Sequence, residues 1–170
     1  IIHVQKDYEV AIETALGGSI QNIVTDNEQT AKRMISFLKK NRYGRATFLP
    51  LSNISGRGGL AQKDVLREPG VVGTANTLVE ADAEYSELVM YLLGRVLVVD
   101  NIDHAIAIGK KYRHSLRMVT IEGESLSPGG SMTGGAFKNN SNLLGRRREI
   151  EELERSVGIL KKELEETQRA

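Results

Sequence analysis

The residues of this chain whose types and spacing could do chemistry are few, and most are glycines and cations. Gly56-Arg57-Gly58-Gly59-Leu60-Ala61 fits the Gly-x-Gly-x-x-Ala outline of a dinucleotide-binding turn. Such a turn works between a strand and a long helix, with an acidic residue downstream for the ribose. Here it sits in a loop pattern without that helix, and neither Gly123 nor Glu124 supplies a ribose acid at the right distance. No Gly-x-x-x-x-Gly-Lys-Ser/Thr segment occurs, so the sequence holds no phosphate loop. His3, His104 and His114 are scattered, with no His-x-x-x-His pair for a metal, and read as surface or capping residues. Cysteine is absent, which removes thiol catalysis, thiolate zinc sites and disulfides and fits a reducing compartment.

Two features are left. The first is the stretch 127–140, Ser-Pro-Gly-Gly-Ser-Met-Thr-Gly-Gly-Ala-Phe-Lys-Asn-Asn, which holds Gly129, Gly130, Gly134 and Gly135. Glycine has no reactive group and costs about 0.5–1 kcal/mol of chain entropy relative to alanine, so four together imply backbone conformations or approaches that other residues forbid. Pro128-Gly129 is a good turn dipeptide. The second pair, with Met132 and Thr133 before it, suits a strand joining another backbone at about 4.8 Å across an interface. Both readings stand for the first pair. The second feature is local positive charge: Lys39, Lys40, Arg42 and Arg45; Lys110, Lys111 and Arg113; Lys138; and the run Arg146, Arg147, Arg148. With 23 basic against 22 acidic residues and a formal charge of +1, any acidic partner must use such patches, because no global field exists. The same cations also suit helix C-termini, where they complement the dipole. Five tyrosines, three phenylalanines and no tryptophan supply a stacking platform for single strands poorly.

Alternating helical and strand periods must position these residues. Tyr8, Ala11, Ile12, Ala15 and Leu16 share one helical face, and Gly17-Gly18 ends it. A strand over 19–25 follows. Thr25 and Glu28 stand at capping-box spacing before a helix whose Ala31, Met34, Ile35 and Leu38 fall at i, i+3, i+4 and i+7, the pattern of a core-facing stripe. Gly44 ends that helix and 45–51 reads as a strand. The stretch 52–70 is a loop with one short helix. A helix over 83–94, a buried strand at 95–100, an amphipathic helix over 101–114 and a strand over 116–123 complete an α/β or α+β mixture. A chain of 170 residues with 40% hydrophobic content allows one good-sized core, or a core plus an extension. No apolar run approaches the roughly 18 residues of a membrane span, and no signal peptide pattern is present. The expectation is a soluble intracellular protein. Its start without methionine and its end within a helical pattern are expected of a piece of a longer chain.

Two stretches resemble each other. Tyr8, Leu16 and Gly17 match Tyr85, Leu93 and Gly94, and Asp26, Asn27 and Ala31 match Asp100, Asn101 and Ala105 at an offset three residues shorter. Chance similarity of two amphipathic units is one reading. An internal duplication is the other, and it predicts two pseudo-symmetric subdomains that present their lysines at equivalent places. After residue 140 the pattern changes: Ile150, Leu153, Val157, Leu160 and Leu164 alternate at spacings of three and four, the a/d seam of a coiled coil. So narrow a seam needs a partner helix, either upstream of Ile1 or on another molecule.

In their order along the chain, "ALGGSIQNIVT", "AKRMISFLKKNRYGRATFLPL", "YLLGRVLVVD" and "RMVTIEGESLSPGGSMTGGA", followed directly by a heptad helix, resemble the hinge domain of bacterial structural maintenance of chromosomes (SMC) proteins. The resemblance covers residues 5–170. It implies an α/β hinge over 1–140, with subdomains of about 1–70 and 71–140, and the beginning of an antiparallel coiled-coil arm over 141–170 whose other strand enters from upstream. It further implies a non-catalytic homodimerisation hinge serving chromosome condensation and segregation, in the cytoplasm at the nucleoid, with no membrane partner. ATP, magnesium and accessory subunits would belong to head domains outside this chain, and the chain itself would hold no cofactor. On this resemblance the dimer contact falls at Gly129, Gly130, Ser131, Met132, Thr133, Gly134 and Gly135. Weak, sequence-independent DNA contact falls to Lys39, Lys40, Arg42, Lys110, Lys111, Lys138 and Arg146 to Arg148. Two rival readings are a plain coiled-coil oligomerisation module that never touches nucleic acid and, more remotely, a nucleotide-binding enzyme domain.

Overall fold

The computed structural model describes residues 1–56, 58–136 and 143–169. They form two compact units, Ile1–Ala136 and Phe137–Ala170.

The first unit is a mixed α/β body in which one element order occurs twice. Strand β1 (Ile2–Val4) leads through a 3₁₀ turn at Lys6–Tyr8 into helix α1 (Glu9–Leu16), then to β2 (Ile23–Thr25), α2 (Glu28–Lys40) and β3 (Phe48–Pro50). A loop, a 3₁₀ turn at Lys63–Arg67 and strand β4 (Val71–Thr74) intervene. The order then repeats as β5 (Val79–Ala81), a 3₁₀ turn at Ala83–Tyr85, α3 (Ser86–Leu93), β6 (Val96–Val99), α4 (Ile102–Lys111) and β7 (Arg117–Thr120). Two short strands, β8 (Ser125–Leu126) and β9 (Met132–Thr133), end the body.

Pairing confirms the duplication. β2 runs parallel to β3, and β6 runs parallel to β7. β1 and β5, equivalents in the two halves, pair antiparallel with Ile2 opposite Ala81, His3 opposite Glu80 and Val4 opposite Val79. Each of these residues faces the strand equivalent to its own, as a local two-fold axis through the His3/Glu80 pair requires. The halves differ in what surrounds their parallel pair. β6–β7 is the centre of a five-stranded sheet of order β4-β6-β7-β8-β9, whereas β2–β3 stands as a two-stranded sheet.

The core sits under the second half. All four residues of β6 are buried, as are Met118 and Val119 of β7. Val65, Leu97, Val99, Ala105, Ile108, Leu116, Met118 and Leu126 make one apolar cluster. Burial of each of these side chains larger than alanine contributes about 1.5–3 kcal/mol. α1 turns Ala11, Ile12 and Ala15 inward, and Arg117 on β7 donates to the Ala15 carbonyl at 2.8 Å, filling one of the acceptors that a helix end leaves open.

The helix caps differ from the capping box expected at Thr25 and Glu28. Asn27 is the cap: its Oδ1 accepts from the Thr30 N–H at 3.0 Å, while Asp26 Oδ1 accepts from the Asn27 N–H at 2.8 Å. Thr25 is buried at the end of β2, and its hydroxyl donates to the Asn27 carbonyl instead. The second half repeats the arrangement, with Asn101 Oδ1 accepting from the His104 N–H at 2.9 Å. A polar side chain one position before the helix captures the first N–H groups better than a residue that the sheet has already buried.

The expected core stripe of α2 is also different. Only Ala31 on this helix is buried, and Met34 and Ile35 stand exposed.

Beyond the second half, Lys111 Nζ donates to Glu68 Oε1 at 2.5 Å and Tyr112 Oη donates to the same oxygen at 3.0 Å. The lysine hydrogen bond holds the Glu68 carboxyl below the usual carboxylate range, and the same bond pushes Lys111 up. A carboxyl with a lowered folded value contributes stability above its unfolded value and loses it as pH falls through the folded one. Glu68→Gln should therefore lower the melting temperature at pH 7, and the gap to the parent chain should close as a melting series is carried into acid. Asn101→Ala should lower unfolding free energy by about 1 kcal/mol in a urea titration, and Asn27→Ala by a similar amount.

Candidate functional site

The glycine stretch closes the five-stranded sheet. Ser127 donates its N–H to the Ser131 carbonyl at 2.9 Å, Gly130 to the Ser127 carbonyl at 3.0 Å, and Gly129 to the His114 carbonyl at 2.8 Å. These bonds fold 127–131 into a turn between β8 and β9. Gly129 and Gly130 have φ of 90° and 96°, which other residues rarely adopt. The first pair therefore has an intrachain reason, the turn. The second pair follows β9, and a Cβ on Gly134 would come within 3.1 Å of the Glu124 side chain.

β9 is the edge of its sheet. It pairs with β8 through Ser125 opposite Thr133 and Leu126 opposite Met132. The ladder alternates, so the Ser127–Ser131 bond turns the Met132 N–H and C=O away from β8. That edge carries no further strand among the described residues, and Met132 is 51% exposed.

β3 presents a second open edge. Ile23 donates to the Thr47 carbonyl and Leu51 to the Thr25 carbonyl, both at 2.9 Å, so 47, 49 and 51 face β2 while Phe48 and Pro50 face outward. Pro50 has no N–H to leave unpaired, and its carbonyl accepts from Asn53 and Ile54. Phe48 is then the one β3 residue whose N–H and C=O both face outward without a strand to meet them among the described residues. The equivalent position on β7, Met118, is paired antiparallel with β8. Sequence reasoning did not mark Phe48. The signal was the Pro two residues later in a strand pattern, which restricts that strand to an edge.

The basic clusters take equivalent places in the two halves. Lys39 and Lys40 end α2, Lys110 and Lys111 end α4, and Arg42 and Arg113 follow with φ of 54° and 55°. The two helix ends thus share a left-handed arginine, although His114 after Arg113 is left-handed too (φ 52°) and α2 has 13 residues where α4 has 10. Lys39, Lys40, Arg42 and Lys110 form no ion pair among the described residues, whereas Lys111 is held by Glu68. In the second unit, helix α5 (Leu143–Arg169) carries Arg146, Arg147 and Arg148, with Arg147 paired to Glu151 at 3.1 Å and Arg148 to Glu152 at 2.9 Å. Lys138 lies outside the described residues. α5 is a helix of 27 residues, and its seam of Ile150, Leu153, Val157, Leu160 and Leu164 is exposed along its length. No cluster of three or more metal-binding side chains occurs among the described residues, and no helix among them is long and apolar enough to cross a membrane. The segment around Gly56 to Ala61 is followed by a 3₁₀ turn at Lys63–Arg67, too short for the helix that a dinucleotide turn requires.

Comparison with known proteins agrees with this geometry. The family model for the flexible hinge domain of SMC proteins matches residues 1–109. The chromosome partition protein Smc of Bacillus subtilis is 43% identical over 175 residues, a match spanning 96% of this chain and 15% of that protein. The Smc protein of Lactiplantibacillus plantarum is 40% identical over 167 residues, covering 96% of this chain and 14% of the relative. The chain thus spans about one seventh of the curated relatives it matches. Among solved structures, an asymmetric dimer of the Geobacillus stearothermophilus SMC hinge domain superposes with a TM-score of 0.83 at 41% identity, covering 99% of this chain and 69% of that one. The Pyrococcus furiosus Smc hinge domain with an extended coiled coil gives 0.69 at 33% identity, covering 96% and 57%. A duplicated α/β body with open strand edges, followed by a heptad helix and matched by these relatives over nearly its whole length, belongs to the SMC hinge domain family.

Proposed function

We propose that this chain is the homodimerisation hinge of a chromosome-organising SMC ATPase, in which β9 of each subunit adds to the open β3 edge of the other. The observation that carries the reading is the pair of outward-facing backbone sets. Met132 on β9 and Phe48 of the partner subunit each hold one N–H and one C=O without a strand to meet them. Antiparallel pairing of the two satisfies all four groups, and a two-fold axis makes the contact occur twice. Edge strands of two or three residues gain little alone. Doubling the contact, and burying the exposed Met132 with it, gives a joint that holds yet releases. The asymmetric dimer of the Geobacillus stearothermophilus SMC hinge domain supports homodimerisation.

In this reading residues 1–140 form the joint, as two subdomains meeting near residue 70, and 141–170 begin an arm. The exposed seam of α5 accepts the coil strand that enters from upstream, giving an antiparallel pair. ATP and magnesium act at head domains elsewhere in the full-length protein, and accessory subunits bind there. The service of the whole is chromosome condensation and segregation at the nucleoid.

DNA contact is the second part of the proposal. Lys39, Lys40, Arg42 and Lys110, without ion pairs among the described residues, offer cationic ends on both halves, and Lys138, Arg146, Arg147 and Arg148 add cations in the sequence that leads into the arm. Helix C-terminal lysines bind phosphate without reading sequence, and their contribution falls steeply with salt. Lys111, held by Glu68, contributes less than Lys110.

Met132→Asp should shift the chain from dimer to monomer in sedimentation while leaving its circular dichroism unchanged, since Met132 is half exposed in the single chain. Dimers persisting at micromolar concentration contradict the β9 edge. Replacing all four glycines by alanine should also give monomers, with an added loss of stability from Gly129 and Gly130, whose positive φ strains any other residue. Charge reversal at Lys39, Lys40 and Lys110 should weaken retention of duplex DNA in a gel shift at low salt, and the difference from the parent chain should vanish at high salt. Unchanged retention at low salt removes these lysines from the contact.

A further inference from the structure

We propose that His114 is a positioning residue for the joint: its left-handed backbone holds the turn between β8 and β9 in the register that aims the Met132 N–H and C=O outward. The inference rests on the dimer reading above and names the residue that prepares β9 for it. Strands β8 and β9 contribute two residues each, paired as Ser125 with Thr133 and Leu126 with Met132. So short a ladder, closed through Gly129 and Gly130, fixes its own register weakly. A slip of one residue turns every side chain of β9 to the other face and puts a neighbour of Met132 at the outward position. Something outside the hairpin has to pin it.

The pin comes from the C-terminal end of α4. The Gly129 N–H donates to the His114 carbonyl at 2.8 Å, a bond that leaves the hairpin. Arg113 and His114 stand in succession at φ of 55° and 52°. The His114 N–H returns to the Gly109 carbonyl at 2.7 Å, so the residue is tied to the helix on one side and to the turn on the other. Its ring lies over the same turn, where a Cβ on Gly130 would come within 3.6 Å of the imidazole Cγ.

The first half supplies the comparison. Tyr43 holds the equivalent place, its N–H donating to the Leu38 carbonyl at 3.0 Å as that of His114 does to Gly109. Arg42 is left-handed like Arg113, and Tyr43 is not left-handed. Among the described residues no strand covers the outer edge of β3, so none brings a turn to the Tyr43 carbonyl. The second left-handed residue thus occurs in the half where a turn is seated on it. Left-handed backbone costs energy in residues other than glycine, and histidine is among the side chains that enter it more readily. Strain present in one of two copies of the same helix end points to a use for it. Here it aims the 114 carbonyl at the Gly129 N–H.

The test compares His114→Gly and His114→Asn, which accept the left-handed region, with His114→Val, whose branched side chain resists it. In sedimentation of the 170-residue chain, His114→Gly and His114→Asn should keep the dimer dissociation constant within about threefold of the parent, and His114→Val should raise it by about tenfold or more. Equal weakening by all three, or no weakening by His114→Val, overturns the proposal. Amide exchange in a Met132→Asp background reads the turn without the dimer. There the Gly129 amide should keep the parent rate in His114→Gly and His114→Asn and exchange faster in His114→Val. Faster exchange spread equally over β6 and β7 marks a general loss of stability and counts against the proposal. A Gly129 amide indifferent to the residue at 114 overturns the proposal and leaves the dimer reading intact, whereas a parent chain that sediments as a monomer overturns the dimer reading and this proposal with it.

Discussion

A strand edge offers backbone N–H and C=O groups that must find partners or stay in water, and this molecule is organised around how its edges are met. The second half closes most of its own: β4 covers β6 on one side and β8 covers β7 on the other, leaving β9 at the rim. The first half, built from the same element order, closes neither side of β2–β3. An exposed edge invites pairing with another chain. Here the invitation is limited to very short strands, with Pro50 removing one donor from β3, so the edge favours a specific partner over open-ended aggregation.

Duplication makes the first half readable through the second. The β1–β5 ladder fixes the two halves about a local axis with His3 opposite Glu80. Both helices that follow the parallel strands start on Asp-Asn and end on Lys-Lys followed by a left-handed arginine. What differs is burial. The stabilising core lies around β6 and α4, where a single cluster joins strand, helix and the preceding loop. The β2–β3 side carries apolar residues that this body leaves in solvent. Local opening draws on the half with the smaller buried core.

Much of this was legible in the residues. The duplication follows from six repeated side-chain identities, the amphipathic helices and the heptads of α5 from period, and the buried strand at Val96–Val99 from its continuous apolar run. The short strands β1, β4 and β5 were not legible, because three or four residues carry too little alternation to stand out from a loop. The cap of α2 was misassigned to Thr25 because the capping-box spacing ignores that a strand has already buried this residue. The stripe of Met34 and Ile35 was read as core because periodicity reports that a face wants cover, without saying whether the cover is in the same fold. The turn role of Gly129 and Gly130 was one of two open readings, and their positive φ supports it. Phe48 as an outward-facing edge residue needed the hydrogen-bond alternation of β2 and β3, which only the register supplies.

The functional reading therefore rests on geometry more than on any reactive side chain. Two edges, each with one complete outward backbone set, carry the proposed joint, and the cations at equivalent helix ends carry the proposed contact with phosphate. The central claim is that β9 is paired across two subunits. Amide exchange at Met132, followed as the concentration of the chain is raised, tests it most directly. The account predicts exchange that slows as dimer forms and slows together with exchange at Phe48. Exchange at both positions that is fast and independent of concentration would contradict it.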